Sequence, residues 1–282
     1  MNDKTLTQSA SFFQEYTSDD AITKYTSRTA GFGINYLLDH EYKAVYLDAL
    51  HRLPPHVLAS GIRVLEFGCG GGMNLIRLLA VLRGAGVRLE KAIGADFSPV
   101  LIDAARREAK DVLKEGDLQK IEFHVAKNEQ LIDDLASALE STPGELKNSL
   151  HFIIGVNTIR YCHAGKKEMD NARDIYDLLA PGGVSVVIDM NNRFPLFRSD
   201  LKNRLRREKE EECYVPSLEK YADPFFKTGF EVLRTEHFCW IPHSSGRMMC
   251  LLMRALSPVL NGLFKSRAMR SLVVARKPNQ TR

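Results

Sequence analysis

The stretch that most constrains this chain runs from Ile62 to Leu79. An apolar, β-branched lead-in (Ile62, Val64, Leu65) reads as a buried strand that stops at Gly68-Cys69-Gly70-Gly71-Gly72. Met73-Asn74-Leu75-Ile76-Arg77-Leu78-Leu79 then continues with helical character. Strand, glycine turn and helix open a doubly wound α/β sheet, whose ligand end lies at the C-terminal edge of its strands. Gly68 and Gly70 allow a sharp turn and leave no Cβ to hold a ligand away. The first turn of the helix offers N–H groups to a carboxylate or another anion.

A dinucleotide fingerprint of the form G-x-G-x-x-G fails here, because Met73 stands where the third glycine belongs. The pattern that fits is an acid followed by glycines at alternate positions: Glu66, Gly68, Gly70 and Gly72. In these residues the chain resembles motif I of the class I S-adenosylmethionine-dependent methyltransferases. The resemblance implies S-adenosyl-L-methionine as cofactor, with Glu66, Gly68, Cys69, Gly70 and Asn74 in its site. A second strand, Lys91 to Asp96, ends in an acid that can accept hydrogen bonds from both ribose hydroxyls. Phe97 is placed to lie against the adenine, while Ser98 and Pro99 start a helix as N-cap and first residue.

Ile121 to Val125 is the third strand. The family commonly follows it with an adenine-binding aspartate, but Lys127 stands at that position, which leaves Asn128 as the candidate. The fourth strand, His151 to Asn157, is almost wholly apolar, as a strand covered on both faces must be. Asn157 at its tip is the candidate for the cofactor's amino group. Ala180-Pro181-Gly182-Gly183 reads as a turn into a fifth strand and recurs at the same place in the family. A sixth strand begins at Gly229, and the last is Ser271 to Arg276. The implied fold is α/β: a doubly wound, seven-stranded, Rossmann-like methyltransferase sheet with an antiparallel last strand.

Residues 1–58 read as an N-terminal helical lid and residues 59–282 as the methyltransferase domain. The lid is predicted to hold helices near 7–17 and 34–52 joined flexibly at Gly31-Phe32-Gly33, its many aromatics serving as packing or as a cover for the acceptor. Tyr25 and Arg28 are candidates for the methionine carboxylate. The charged run 198–212 reads as a solvated helix. Between the last two strands, residues 241–270 form a long insertion. It carries Met248 to Leu256, then Pro258, then Val259 to Phe264, and from Arg247 onward there are eight Lys/Arg and no Asp or Glu. Residues 247–264 are therefore open to three readings: a membrane or lipid contact, a wall for a greasy acceptor, or a helix packed on the sheet edge.

At 282 residues, with 44% hydrophobic and 26% charged residues, the chain can build a large core. Its net charge of +4 does not by itself imply nucleic acid. Five scattered cysteines form no C-x-x-C pair and no zinc spacing, so buried thiols without a metal are expected. The polar start Met1-Asn2-Asp3-Lys4-Thr5 resembles no signal peptide, and a cytoplasmic enzyme is expected.

A sulfonium methyl donor is already activated, so orientation and exclusion of water do most of the work. Where the acceptor must lose a proton, His163 and His243 are the candidate bases, with Tyr161 a further pocket residue. No Asn-Pro-Pro-Tyr follows the fourth strand, which argues against methylation of DNA bases. The expected activity is methyl transfer to a small, apolar or aromatic acceptor, at oxygen first and otherwise at nitrogen or carbon, by a monomer or homodimer. Methylation of RNA or protein through the basic C-terminal part, and a non-catalytic cofactor-binding module, are the alternatives.

Overall fold

Near-continuous apolar runs make the central strands, and alternate residues of these feed one of two cores. In a computed structural model, which describes residue 22 and residues 32–162, 167–195 and 215–279, these strands are seven. They are β1 (Ile62–Phe67), β2 (Leu89–Asp96), β3 (Ile121–Val125), β4 (Leu150–Val156), β5 (Leu179–Met190), β6 (Glu231–Phe238) and β7 (Arg270–Arg276). Their order in the sheet is β3-β2-β1-β4-β5-β7-β6, and β7 is antiparallel to both of its neighbours. The pairs among β1 to β5 are parallel. Strand order reverses between β1 and β4, which places the ligand crevice of an open sheet at that seam.

The principal helices are α1 (Lys43–Leu50), α2 (Met73–Gly84), α3 (Pro99–Val112), α4 (Leu131–Ala138), α5 (Glu168–Leu178), α6 (Leu218–Thr228) and α7 (Arg247–Phe264). On β1, Val64 joins the core that holds α1, α2 and α3, whereas Leu65 and Phe67 join the core that holds α4, α5 and α6. Phe152 and Ile153 on β4, and Val186 and Val187 on β5, divide the same way. Ser98 caps α3 as its sequence predicts, accepting the Leu101 N–H at 3.3 Å.

The structure departs from the sequence reading in two places. Gly33 is not half of a hinge but part of the helix Phe32–Tyr36, where a Cβ would lie 2.6 Å from the His243 carbonyl oxygen. That close approach ties the N-terminal helices to the chain just after β6. Leu179-Ala180-Pro181-Gly182-Gly183 is the bulged entry to β5 rather than a separate turn, with a register shift between Leu150 and Phe152 of β4. The insertion carries one continuous helix: α7 runs through Pro258 for 18 residues. Proline removes only one intrahelical bond, and it does so on the exposed side, where water can satisfy the carbonyl left over. Tyr36, Tyr42 and Tyr46 are core residues, in line with the packing reading of these aromatics, with Tyr42 against Phe238 and Tyr46 edge-on to Phe152. The helix expected near 7–17 and the charged run 198–212 lie outside the described residues.

Candidate active site

The ends of β1, β2, β3 and β4 meet along one edge of the sheet. After β1 the chain turns through Gly68 and Gly70, at φ 61° and 52°. A Cβ on Gly68 would sit 2.2 Å from Thr158 Cγ2 and 3.5 Å from the Asn128 amide nitrogen. The glycine loop, the residues after β3 and the residues after β4 therefore adjoin one another.

Asp96, at the end of β2, is buried beside this loop. One of its oxygens accepts the Gly70 N–H and the other the Ser98 N–H, each at 2.9 Å. Burial raises its carboxyl above the ordinary value, while those two donors pull it down. Each oxygen keeps a second lone pair for a further donor. Phe97, beside it, is half-buried.

Glu66, only 2% exposed, heads a buried chain of side chains. Its Oε1 accepts from the Asn74 amide at 2.7 Å, and Asn74 Oδ1 accepts from the Tyr46 hydroxyl at 2.8 Å. Burial pushes the Glu66 carboxyl up to about 8, against the lowering effect of the Asn74 amide and with a smaller upward push from Asp96. At neutral pH Glu66 is thus mostly protonated. Tyr46, one aromatic among many in the sequence, carries no motif that would mark it for this chain of contacts.

Cys69 contributes backbone rather than thiol. Its N–H donates to Ala95 O at 2.9 Å, and burial pushes the thiol far up. The sulfur packs towards Gly94, in the same core as Phe123. Asn128 is held by Asn171, whose amide donates to its carbonyl at 2.6 Å.

At the tip of β4, Asn157 adopts φ 58°, a left-handed conformation that asparagine tolerates. Its Oδ1 accepts from Arg270 Nη1 at 2.8 Å, and Arg270 Nη2 meets His243 Nδ1 at 3.0 Å. Arg270 therefore joins two residues singled out from the sequence, although no motif points to it. It is the first residue of β7, is 2% exposed, and its Nε is buried without a partner. Arginine can only donate, so the Nδ1 lone pair of His243 is engaged and the neutral ring carries its proton on Nε2. Tyr25, Arg28 and His163 lie outside the described residues, as does the side chain of Tyr161. Among the described residues no group of three His, Cys, Asp or Glu could hold a metal ion.

Beside His243, a cavity of about 530 Å³ opens between the residues after β5, the loop after β6 and α7. Phe194, Pro195, Trp240, Met249, Met253 and Leu260 give it a largely apolar lining. Pro242 and Ser244, the chain neighbours of His243, also line this cavity.

A family profile described as a methyltransferase domain matches residues 38–235. Over 151 residues the chain is 28% identical to the citrinin polyketide synthase of Monascus ruber, an alignment covering 53% of this chain and 5% of that synthase. The chain thus corresponds to a small fraction of the curated relative it matches. Among solved structures it is similar to the citrinin polyketide synthase CMeT domain, with TM-score 0.58, 16% identity, and 94% of this chain and 59% of that one covered. It is also similar to the CurJ carbon methyltransferase, with TM-score 0.56, 18% identity, and coverage of 92% and 58%. At such identities the structural likeness shows the fold.

Proposed function

This chain belongs to the class I S-adenosylmethionine-dependent methyltransferases, and from that premise we propose that it methylates a small, largely apolar acceptor held in the cavity between the residues after β5, the loop after β6 and α7. The observation that carries the reading is the meeting of the Gly68 loop, the Asp96 carboxylate and the Asn157 tip at the seam of β1 and β4. Two buried carboxylates of raised pKa, Glu66 and Asp96, suit a ligand that brings an ammonium and a ribose diol, since both supply donors. Asp96 would hold the ribose hydroxyls, Asn128 and Phe97 the adenine, and Glu66 with Asn157 the ammonium. Tyr25 and Arg28 are proposed for the methionine carboxylate. Bound there, S-adenosylmethionine supplies a methyl group activated by its sulfonium.

What this chain adds is placement and a dry setting. The apolar cavity favours an apolar or aromatic acceptor. Likeness to the CurJ carbon methyltransferase favours carbon as the methylated atom over the oxygen that the sequence reading put first. An acidic carbon flanked by carbonyls must shed a proton and gather charge on oxygen, and the buried guanidinium of Arg270, held between Asn157 and His243, is assigned to stabilise that charge. In this arrangement His243 positions Arg270, which leaves His163 and Tyr161 as the proposed proton acceptors.

Calorimetric titration with S-adenosylhomocysteine tests the cofactor site. Asp96→Ala should weaken binding by about 10- to 100-fold, the scale expected for losing charge-assisted hydrogen bonds. Unchanged affinity in a folded variant would remove Asp96 from the site. Turnover of labelled donor with a β-diketone and with a phenol then separates carbon from oxygen as the acceptor atom.

A further inference from the structure

Helix α7 has two different faces. Cys250 is buried, and Met253, Ser257 and Leu260 are half-buried against the body of the protein. The other side carries Met248, Leu252, Leu256, Val259 and Leu263 at steps of four, four, three and four residues, which align as one stripe along the helix. All five are exposed, Met248 to 80% and Leu263 to 69%. An 18-residue helix is about 27 Å long, so the stripe is a continuous apolar strip. Isolated exposed leucines are ordinary, but an aligned row of this length is not.

Charge narrows what covers the strip. Arg247 stands at one end of the helix and Arg267 just beyond the other, both exposed, with Arg254 and Lys265 between them. Lys265 pairs with Glu236 at 2.7 Å and Arg254 lies in the field of Glu41, which leaves Arg247 and Arg267 as the terminal cations. From Arg247 to the C-terminus there is no acidic residue. Two copies of this strip packed on each other, in either direction, would set cations against cations with no acid on the helix to pair them. A negatively charged surface meets the same arrangement favourably.

We propose that α7 is an interfacial helix that lays this stripe into an anionic lipid surface while the adjoining face lines the apolar cavity. Among the described residues no helix is long and apolar enough to cross a membrane, so the attachment lies in the plane of the surface. The same helix that touches lipid then forms a wall of the cavity through Met249, Met253 and Leu260. The surface contact does not depend on which atom is methylated, nor on the acceptor.

Sedimentation of the full chain with vesicles tests this. The protein should bind vesicles of phosphatidylcholine containing phosphatidylglycerol, bind phosphatidylcholine alone much more weakly, and dissociate as salt rises. Leu252→Glu with Val259→Glu places two carboxylates in the stripe at exposed positions outside the cavity lining, so fold and cofactor binding are retained. Vesicle binding should fall by about tenfold or more. Absence of binding to the anionic vesicles, equal binding to neutral ones, or an unchanged double variant would each overturn the proposal. So would a self-associating protein that ignores vesicles and becomes monomeric in the double variant.

Discussion

Glu66→Gln isolates the electrostatic state of the crevice. Burial sets this carboxyl at about 8 against an ordinary 4.5. Below the lower value both folded and unfolded chains hold the proton, and the site costs nothing. As pH rises towards the upper value the unfolded chain releases its proton while the folded chain keeps it, so the folded state loses stability. At about 1.4 kcal/mol per unit, the gap from 4.5 to about 8 amounts to about 5 kcal/mol at most. Glutamine preserves the shape and cannot ionise, so the variant lacks this loss. Urea unfolding, followed through the single and buried Trp240, gives the comparison from about pH 5 to about pH 9. The variant should match the wild type at the acid end and exceed it by several kcal/mol at the alkaline end. A difference between the two proteins that does not change with pH would refute the argument, because Glu66 would then titrate alike in the folded and unfolded chains.

Two further outcomes follow from the same geometry. If Glu66 faces the ammonium of the cofactor, binding of S-adenosylhomocysteine near neutral pH should expel a proton, so titration heats should vary with the ionisation enthalpy of the buffer. Glu66→Gln should remove that variation, and buffer-independent heats in the wild type would contradict the pairing. Gly33→Ala should lower the melting temperature, since its Cβ would fall 2.6 Å from the His243 carbonyl and 2.7 Å from the Ser245 nitrogen. The cost should be about 1–3 kcal/mol or more, as for overpacking against backbone. Gly116→Ala, with nothing within 4 Å of the new methyl, serves as the control and should leave the protein unchanged.

Local chemistry made much of this protein legible in one dimension. Apolar runs marked β1 to β5 and β7 closely, because a strand covered on both faces has few other compositions. The glycine loop, the Ser98 cap and the acid at the end of β2 are also local, and each sits within a few residues of the element it serves. They were enough to point to the crevice proposed for the cofactor. Gly33 shows where local reasoning stops. In the run Gly31-Phe32-Gly33 it resembles a hinge, yet its role is to admit a backbone more than two hundred residues away.

Arg270 makes the same point for the site. In sequence it is one of several cations near the end of the chain, yet the order β5-β7-β6 brings it under the tip of β4. Sequence by itself determined the sheet and the family and pointed to the glycine loop proposed for the cofactor, because these follow from periodicity and from contacts between near neighbours. Only the tertiary structure decided that Asn157 and His243 share one buried guanidinium, that Tyr46 and Asn74 back Glu66, and which side of α7 is left bare. Those outcomes depend on distant segments meeting, and neither composition nor spacing encodes which distant partner a buried charge or a helix face will find.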